Sequence, residues 1–236
     1  MPARSVRMKT TMSIKEGLPT VVPKGLPSVA VIFLHPACNM TCTFCITEDN
    51  FEAMSEAQAA DLWKTLKKEK FTSVVFGGGE PFVWPGNLVR LSQEAKRLGF
   101  VVQVGTNAAA LPQNFASIPA IDRYVLPLES VDGNIHNKMR FHKEKHHQEI
   151  MDCLQKLRGA QKSVTISTII TKGNKDGLEK LALFLKEVDQ PRPFIHAWHL
   201  YKFIPEGRGG RVNADALAIP DQEYTVVCDE VKAMAM

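Results

Sequence analysis

Val29-Ala30-Val31-Ile32-Phe33-Leu34 runs directly into His35-Pro36-Ala37-Cys38-Asn39-Met40-Thr41-Cys42-Thr43-Phe44-Cys45, a β-branched apolar run followed at once by three cysteines. The same grammar recurs along the chain. Ser73 to Phe76 ends in Gly77-Gly78-Gly79-Glu80-Pro81, Val101 to Gly105 ends in Thr106-Asn107, and Tyr124 to Leu128 ends in Glu129-Ser130. Val164 to Ile170 and Ile195 to Phe203 complete six strand candidates, each rich in β-branched or aromatic residues. Longer periodic segments separate them. Ser55 to Glu69 opens with Ser55 and Gln58 at capping-box spacing and carries Leu62, Trp63 and Leu66 on one face. Further helices are predicted over 85–98, 146–158, 175–188 and 221–233, with a short one near 113–118.

This alternation predicts an α/β fold whose parallel sheet is either doubly wound or curved into a barrel. Six units are fewer than a closed eight-stranded barrel needs, so the barrel would be a partial (β/α)6 one. Functional groups in such sheets gather on the loops after the strands' carboxyl ends. The residues that follow each strand therefore belong together.

The 236 residues are 44% hydrophobic and 23% charged, which excludes disordered, collagen-like and coiled-coil chains. Residues 28–236 read as one domain behind an N-terminal extension, 1–27, whose Arg4, Arg7, Lys9 and Lys15 lack an apolar companion run. The longest apolar stretch is far short of a membrane span. A net charge of +4 without a clustered basic face argues against a nucleic-acid partner but leaves anionic small molecules open. Five cysteines, three of them within eight residues, fit a metal site in a cytoplasmic chain better than a disulfide framework. Cys153 and Cys228 read as buried thiols.

Three thiolates on one loop select zinc, copper(I) or an iron–sulfur cluster. A cubane held by three cysteines keeps one iron open. The alternative is a structural zinc site with His35 as fourth ligand, although such ligands usually come as two separated pairs.

Cys38-x3-Cys42-x2-Cys45, with Phe44 before the last cysteine, resembles the signature of the radical S-adenosylmethionine (radical SAM) superfamily, and Gly78-Gly79-Glu80-Pro81 resembles its Gly-Gly-Glu-Pro turn. Thr106-Asn107 stands where the family carries Thr-Asn-Gly, with Ala108 in place of the glycine. Ser130-Val131-Asp132-Gly133, followed by His136 and Arg140, resembles the family's Ser-x-Asp-Gly segment. Trp198-x2-Tyr201-x-Phe203-x-Pro205 is similar to the last strand of the viperin and molybdopterin-synthesis branches.

The resemblance implies a radical SAM core: a [4Fe-4S] cluster on Cys38, Cys42 and Cys45, and reductive cleavage of SAM to a 5'-deoxyadenosyl radical that abstracts hydrogen from a substrate. Gly78, Gly79, Glu80 and Pro81 would hold the methionine amino group, and Ser130 and Arg140 would contact SAM, Arg140 at its carboxylate. Glu129 or Asp132 would take the ribose, with Thr106, Asn107 and Ser167 also facing the ligand. An electron donor such as flavodoxin or ferredoxin is implied. The substrate is expected to be an anionic small molecule such as a nucleotide, the viperin-like option ranking above the pterin one because a second cysteine triad is missing. The alternatives are maturation of a peptide or protein and a non-catalytic zinc-binding module. Gly207 to Arg211 reads as an anion clamp, and His136 to His147 as a phosphate-holding run or a solvated loop and helix start.

Overall fold

The computed structural model describes residues 28–235; the proposed extension 1–27 lies outside them. In chain order the strands are β1 (Val29–Phe33), β2 (Thr41–Cys42), β3 (Ser73–Gly77), β4 (Val101–Gly105), β5 (Arg123–Pro127), β6 (Arg140–Phe141), β7 (Ser163–Ile170) and β8 (Ile195–Lys202). The helices are α1 (Glu56–Lys68), α2 (Leu88–Arg97), α3 (Gly133–Met139), α4 (His146–Gly159), α5 (Leu178–Val188), α6 (Gly207–Gly210), α7 (Ala214–Leu217) and α8 (Asp221–Ala235). No described helix is long and apolar enough to cross a membrane.

The six predicted strands form one parallel sheet in the order β1-β3-β4-β5-β7-β8. Each new strand lies beside its predecessor, so every crossover steps the same way. With right-handed connections this puts the helices on one face and leaves the other bare. That decides between the two architectures: the sheet is singly wound and curled, a partial barrel, and β8 does not pair with β1. Outward side chains from the strands, among them Phe76, Val102, Tyr124, Leu126 and Ile166, are fully buried under Trp63, Leu91, Leu157 and Leu181 of the helices. The inner face is open, and Val29, Val31, Phe33 and Val101 are exposed on it.

Local signals account for most helix ends. Ser55 Oγ accepts from Gln58 N at 3.2 Å while Gln58 Oε1 accepts from Ser55 N at 2.8 Å, the full capping box. α2 begins at Leu88 rather than 85 because Asn87 is its cap, accepting from Arg90 N at 2.9 Å. Around 113–118 only a single 3-10 turn forms, Phe115–Ser117. Cys153 and Cys228 are buried.

Three short elements depart from the sequence expectation and bear on the site. β2 and β6 form a separate antiparallel pair, Cys42 opposite Arg140. α3 fills the stretch after Asp132, whose carboxylate caps it by accepting from Asn134 N at 2.8 Å and Ile135 N at 3.4 Å.

Candidate active site

The cysteine loop starts at the end of β1 and lies on the glycine turn after β3. Gly79 N donates to His35 O at 2.7 Å, Glu80 N donates to Ala37 O at 2.9 Å, and His35 Nε2 donates to the Glu80 carbonyl at 2.7 Å. A Cβ on Gly79 would sit 1.8 Å from the Ala37 oxygen, and one on Gly78 2.6 Å from the His35 oxygen. Gly78 also has φ +119°. The neighbour that demands these glycines is therefore the cysteine loop itself.

A second brace comes from the residues after β8. Gly209 N donates to Cys45 O at 3.0 Å, and Arg208 N to Thr47 O at 3.2 Å. The Arg208 guanidinium donates to Pro36 O at 3.0 Å and to Asp49 at 2.7 Å. Arg211 is held by Glu48 and Glu206. The expected anion clamp is thus a support: both guanidiniums are already paired, and the short α6 helix presses on the cysteine loop.

Between these braces lies a cavity of about 400 Å³, within the range of small-molecule sites. Cys38, Cys42 and Cys45 line one side; Gly78, Gly79, Thr106, Asn107, Arg140 and Ser167 line the rest, with Tyr201 of β8 and Ile204 just beyond it. The soft donor set and its convergence on one cavity fit an iron–sulfur cluster. The zinc alternative fits less well. His35 is 2% exposed and turned to the Glu80 carbonyl, and among the described residues no three His, Cys, Asp or Glu side chains form a single-ion site. Burial pushes the Cys42 thiol up to about 11 against the pull of Arg140, so loading a metal there must displace a proton.

Several residues expected to touch a ligand are hydrogen-bonded within the chain. Glu80 is buried, and its carboxylate accepts from Thr106 Oγ1 at 2.7 Å, Asn107 N at 2.7 Å and Phe82 N at 3.1 Å. It ties the end of β4 to the glycine turn; Pro81 opens the 3-10 turn behind it. Burial raises the Glu80 carboxyl, opposed by those three donors. Ser130 Oγ accepts from Asp132 N at 3.0 Å, and Asp132 caps α3. Neither lines the cavity.

Glu129 is fully buried and off the cavity wall. Its carboxylate takes Arg140 Nε at 2.6 Å and Ile169 N at 2.7 Å. Burial pushes this carboxyl up by more than Arg140 and Ile169 N pull it down, while the permanently charged guanidinium favours its ionised form. Arg140 then reaches Cys42 Sγ at 3.7 Å and stacks on Phe44 at 4.7 Å. Trp198 faces the helices and donates to Thr168 Oγ1 at 2.9 Å, while Phe203 packs with Phe44 and Met139.

The basic run 136–147 contains a buried network. Glu129 N donates to His136 Nδ1 at 3.1 Å, which makes His136 Nε2 the proton carrier toward His146 Nδ1 at 2.8 Å. His146 Nε2 in turn donates to Asn107 O at 2.7 Å. The rings stack at 4.9 Å and neither is exposed. Two neutral imidazoles thus join the ends of β4 and β5. Asn107, so fixed, points Nδ2 at Asn39 Oδ1 (2.7 Å) and Cys38 Sγ (3.4 Å).

Burial depresses His136 to about 2 and His146 to about 4, helped by neighbouring imidazoles and by the Arg140 cation. The unfolded chain takes up these protons near pH 6.5 and the folded chain does not, so the stability they confer is full above that pH and lost as pH falls toward 4. At about 1.4 kcal/mol per pH unit per group, the wild type is expected to lose stability faster than His146→Gln between pH 6.5 and 5, by about one proton. Urea unfolding across that range measures it; equal slopes would contradict the buried neutral pair.

Sequence reasoning missed Thr47, whose Oγ1 donates to Gly78 O at 3.0 Å, because a hydroxyl two residues past a cysteine carries no signal. It also missed the supporting role of Arg208, since only the fold brings it across to Pro36.

The family model of the radical SAM superfamily matches residues 32–185. No curated protein matches the chain. Among solved structures, Streptococcus suis SuiB bound to precursor peptide SuiA superposes with a TM-score of 0.62 at 20% identity, over 75% of this chain and 40% of SuiB. anSMEcpe with bound AdoMet and Kp18Cys peptide gives 0.66 at 17% identity, over 87% and 59%. TYW1 with a lysine-pyruvate adduct bound gives 0.57 at 15% identity, over 87% and 70%. The chain thus spans less than two thirds of the length of SuiB and anSMEcpe.

Proposed function

The chain belongs to the radical SAM superfamily, and from that premise we propose that it holds a [4Fe-4S] cluster on Cys38, Cys42 and Cys45 and uses SAM to abstract hydrogen from a substrate. The observation that carries this is the convergence of three thiols, the glycine turn and the ends of four strands on one cavity. When bound, the cluster supplies the electron that cleaves SAM reductively; flavodoxin or ferredoxin serves as donor in a cytoplasmic setting.

The chain's own residues bind and orient. Gly78, Gly79, Thr106, Asn107 and Ser167 offer polar groups at the cavity wall to the amino acid and ribose parts of SAM. Arg140 lends positive charge beside Cys42, while Glu129 fixes its direction. Glu80, Pro81, Ser130 and Asp132 position the turns that carry the contacts. Tyr201 and Ile204 add apolar surface to the cavity wall.

For the substrate we favour an anionic small molecule, on the strength of the basic inner face described below. A peptide is the second reading, favoured by the peptides named with SuiB and anSMEcpe. Equilibrium dialysis of the reconstituted protein against labelled SAM tests the binding step. About one SAM per chain is expected for wild type and none for a Cys38/Cys42/Cys45 triple-Ala protein; equal binding by both would refute the cluster-dependent site.

A further inference from the structure

Below the cavity the inner face of the sheet carries a cation that makes no ion pair among the described residues. Val125 and Pro127 of β5 line the cavity, and Arg123, two residues before Val125, shares their face about 7 Å lower. Its guanidinium hydrogen-bonds to neutral groups: Nε donates to Ser163 Oγ at 3.0 Å and Nη1 to Gln103 Oε1 at 3.3 Å. Gln103 is anchored in turn, donating to Ser73 Oγ at 2.9 Å. The adjacent acid, Asp122, is committed to Lys96 and to Val102 N. Arg140 and Arg208 of the upper cavity each have a carboxylate. Among the described residues Arg123 has none.

Two histidines of β8 complete the patch. His199 pairs with Ser167 in the β7–β8 register, which puts it on the inner face, and its Nδ1 bonds Tyr201 Oη at 3.0 Å. His196 sits at the bulge in that register, near enough to Arg123 and His199 for both to disfavour its protonation. Both imidazoles are exposed. A half-buried cation without an anion is costly, and a guanidinium held by neutral tethers is arranged for bidentate capture of an oxyanion.

We propose that Arg123, Gln103, His196 and His199 form an anion subsite on the inner face beneath the cavity, taking a carboxylate or phosphate group of the substrate. This rests on the reading of the upper cavity as the SAM site. An anion at Arg123 anchors a small substrate with its other end toward Tyr201 and the cavity mouth. The rim differs in character, with Val29, Val31 and Val101 exposed on the same face, so a ligand with one anionic end and one apolar end fits best.

The test is a titration of the folded protein with inorganic phosphate and, separately, acetate, followed by NMR of the arginine Nε–H and histidine ring signals. Saturable shifts at Arg123, His196 and His199 are expected. In Arg123→Gln the same histidine shifts should need at least about 10-fold more anion, the loss of a charge-assisted contact; His199→Gln, which keeps the guanidinium, should weaken binding less. The tighter anion identifies the group. Absent or unsaturable shifts, or identical titrations of wild type and Arg123→Gln, would overturn the subsite. So would abolition of the shifts by added SAM, because the anion would then occupy the upper cavity. SAM binding read in the same samples separates this proposal from the one it rests on: lost SAM affinity with intact anion shifts faults the cavity reading alone.

Discussion

Glu129→Ala is expected to lose about 3–5 kcal/mol of unfolding free energy, the cost of leaving one member of a buried ion pair without its partner. Glu129 is wholly buried and holds the Arg140 guanidinium through Nε at 2.6 Å, while its other oxygen satisfies Ile169 N. Truncation strands both donors. Arg140 is also the residue opposite Cys42 in the two-residue ladder, so the damage spreads into the cysteine loop. Glu129→Gln, which keeps an acceptor but no charge, should lose less. At about 2–4 °C per kcal/mol for a chain of this size, the Ala variant should melt roughly 6–20 °C lower. A change under about 1 kcal/mol in urea unfolding would mean that Arg140 is hydrated or finds another anion, and the positioning role given to Glu129 would fall.

Cys42→Ala should abolish cluster retention. Cys42 is the middle donor of the three, and two thiolates cannot hold three corners of a cubane. Since loss of groups that merely support a ligand costs 10–100-fold in metal affinity, loss of the ligand itself should cost more than about 100-fold. After anaerobic reconstitution the wild type should be brown with about four iron per chain, and Cys42→Ala colourless. Cys153→Ala, in the helical core away from the cavity, should stay brown. A brown Cys42→Ala protein would remove Cys42 from the ligand set.

Much of this architecture is readable in the sequence because parallel strands buried on one face are punctuated by the residues their loops require. Gly77-Gly78-Gly79 and Thr106-Asn107 mark strand ends, and the Ser55 and Gln58 pair marks a helix start. The cysteine triad is local and therefore visible. What escaped is non-local. Glu129 and Asp132 both looked like ribose ligands, since a carboxylate after a strand reads the same whether it meets a ligand, an arginine or a helix N-terminus. Only the fold shows that Arg140 and α3 claim them. The stretch around His136 and His146 looked solvated because its lysines outnumber its apolar residues. The two rings are buried because their nitrogens complete a chain between Glu129 N and Asn107 O, a pairing that periodicity does not encode. Arg123 drew no attention as the first residue of a strand, since its significance lies in the neighbouring Asp122 being paired with Lys96 instead, which only the fold shows.

Reductive cleavage of SAM in this cavity, as proposed, releases 5'-deoxyadenosine. The measurement is to incubate the anaerobically reconstituted protein with SAM and dithionite and quantify 5'-deoxyadenosine by liquid chromatography with mass detection, with phosphate- and carboxylate-bearing small molecules included as candidate substrates. The account predicts 5'-deoxyadenosine from the wild type and none above background from the Cys38/Cys42/Cys45 triple-Ala protein. Equal amounts from both, or none from a fully loaded wild type that binds SAM and those candidates, would contradict it.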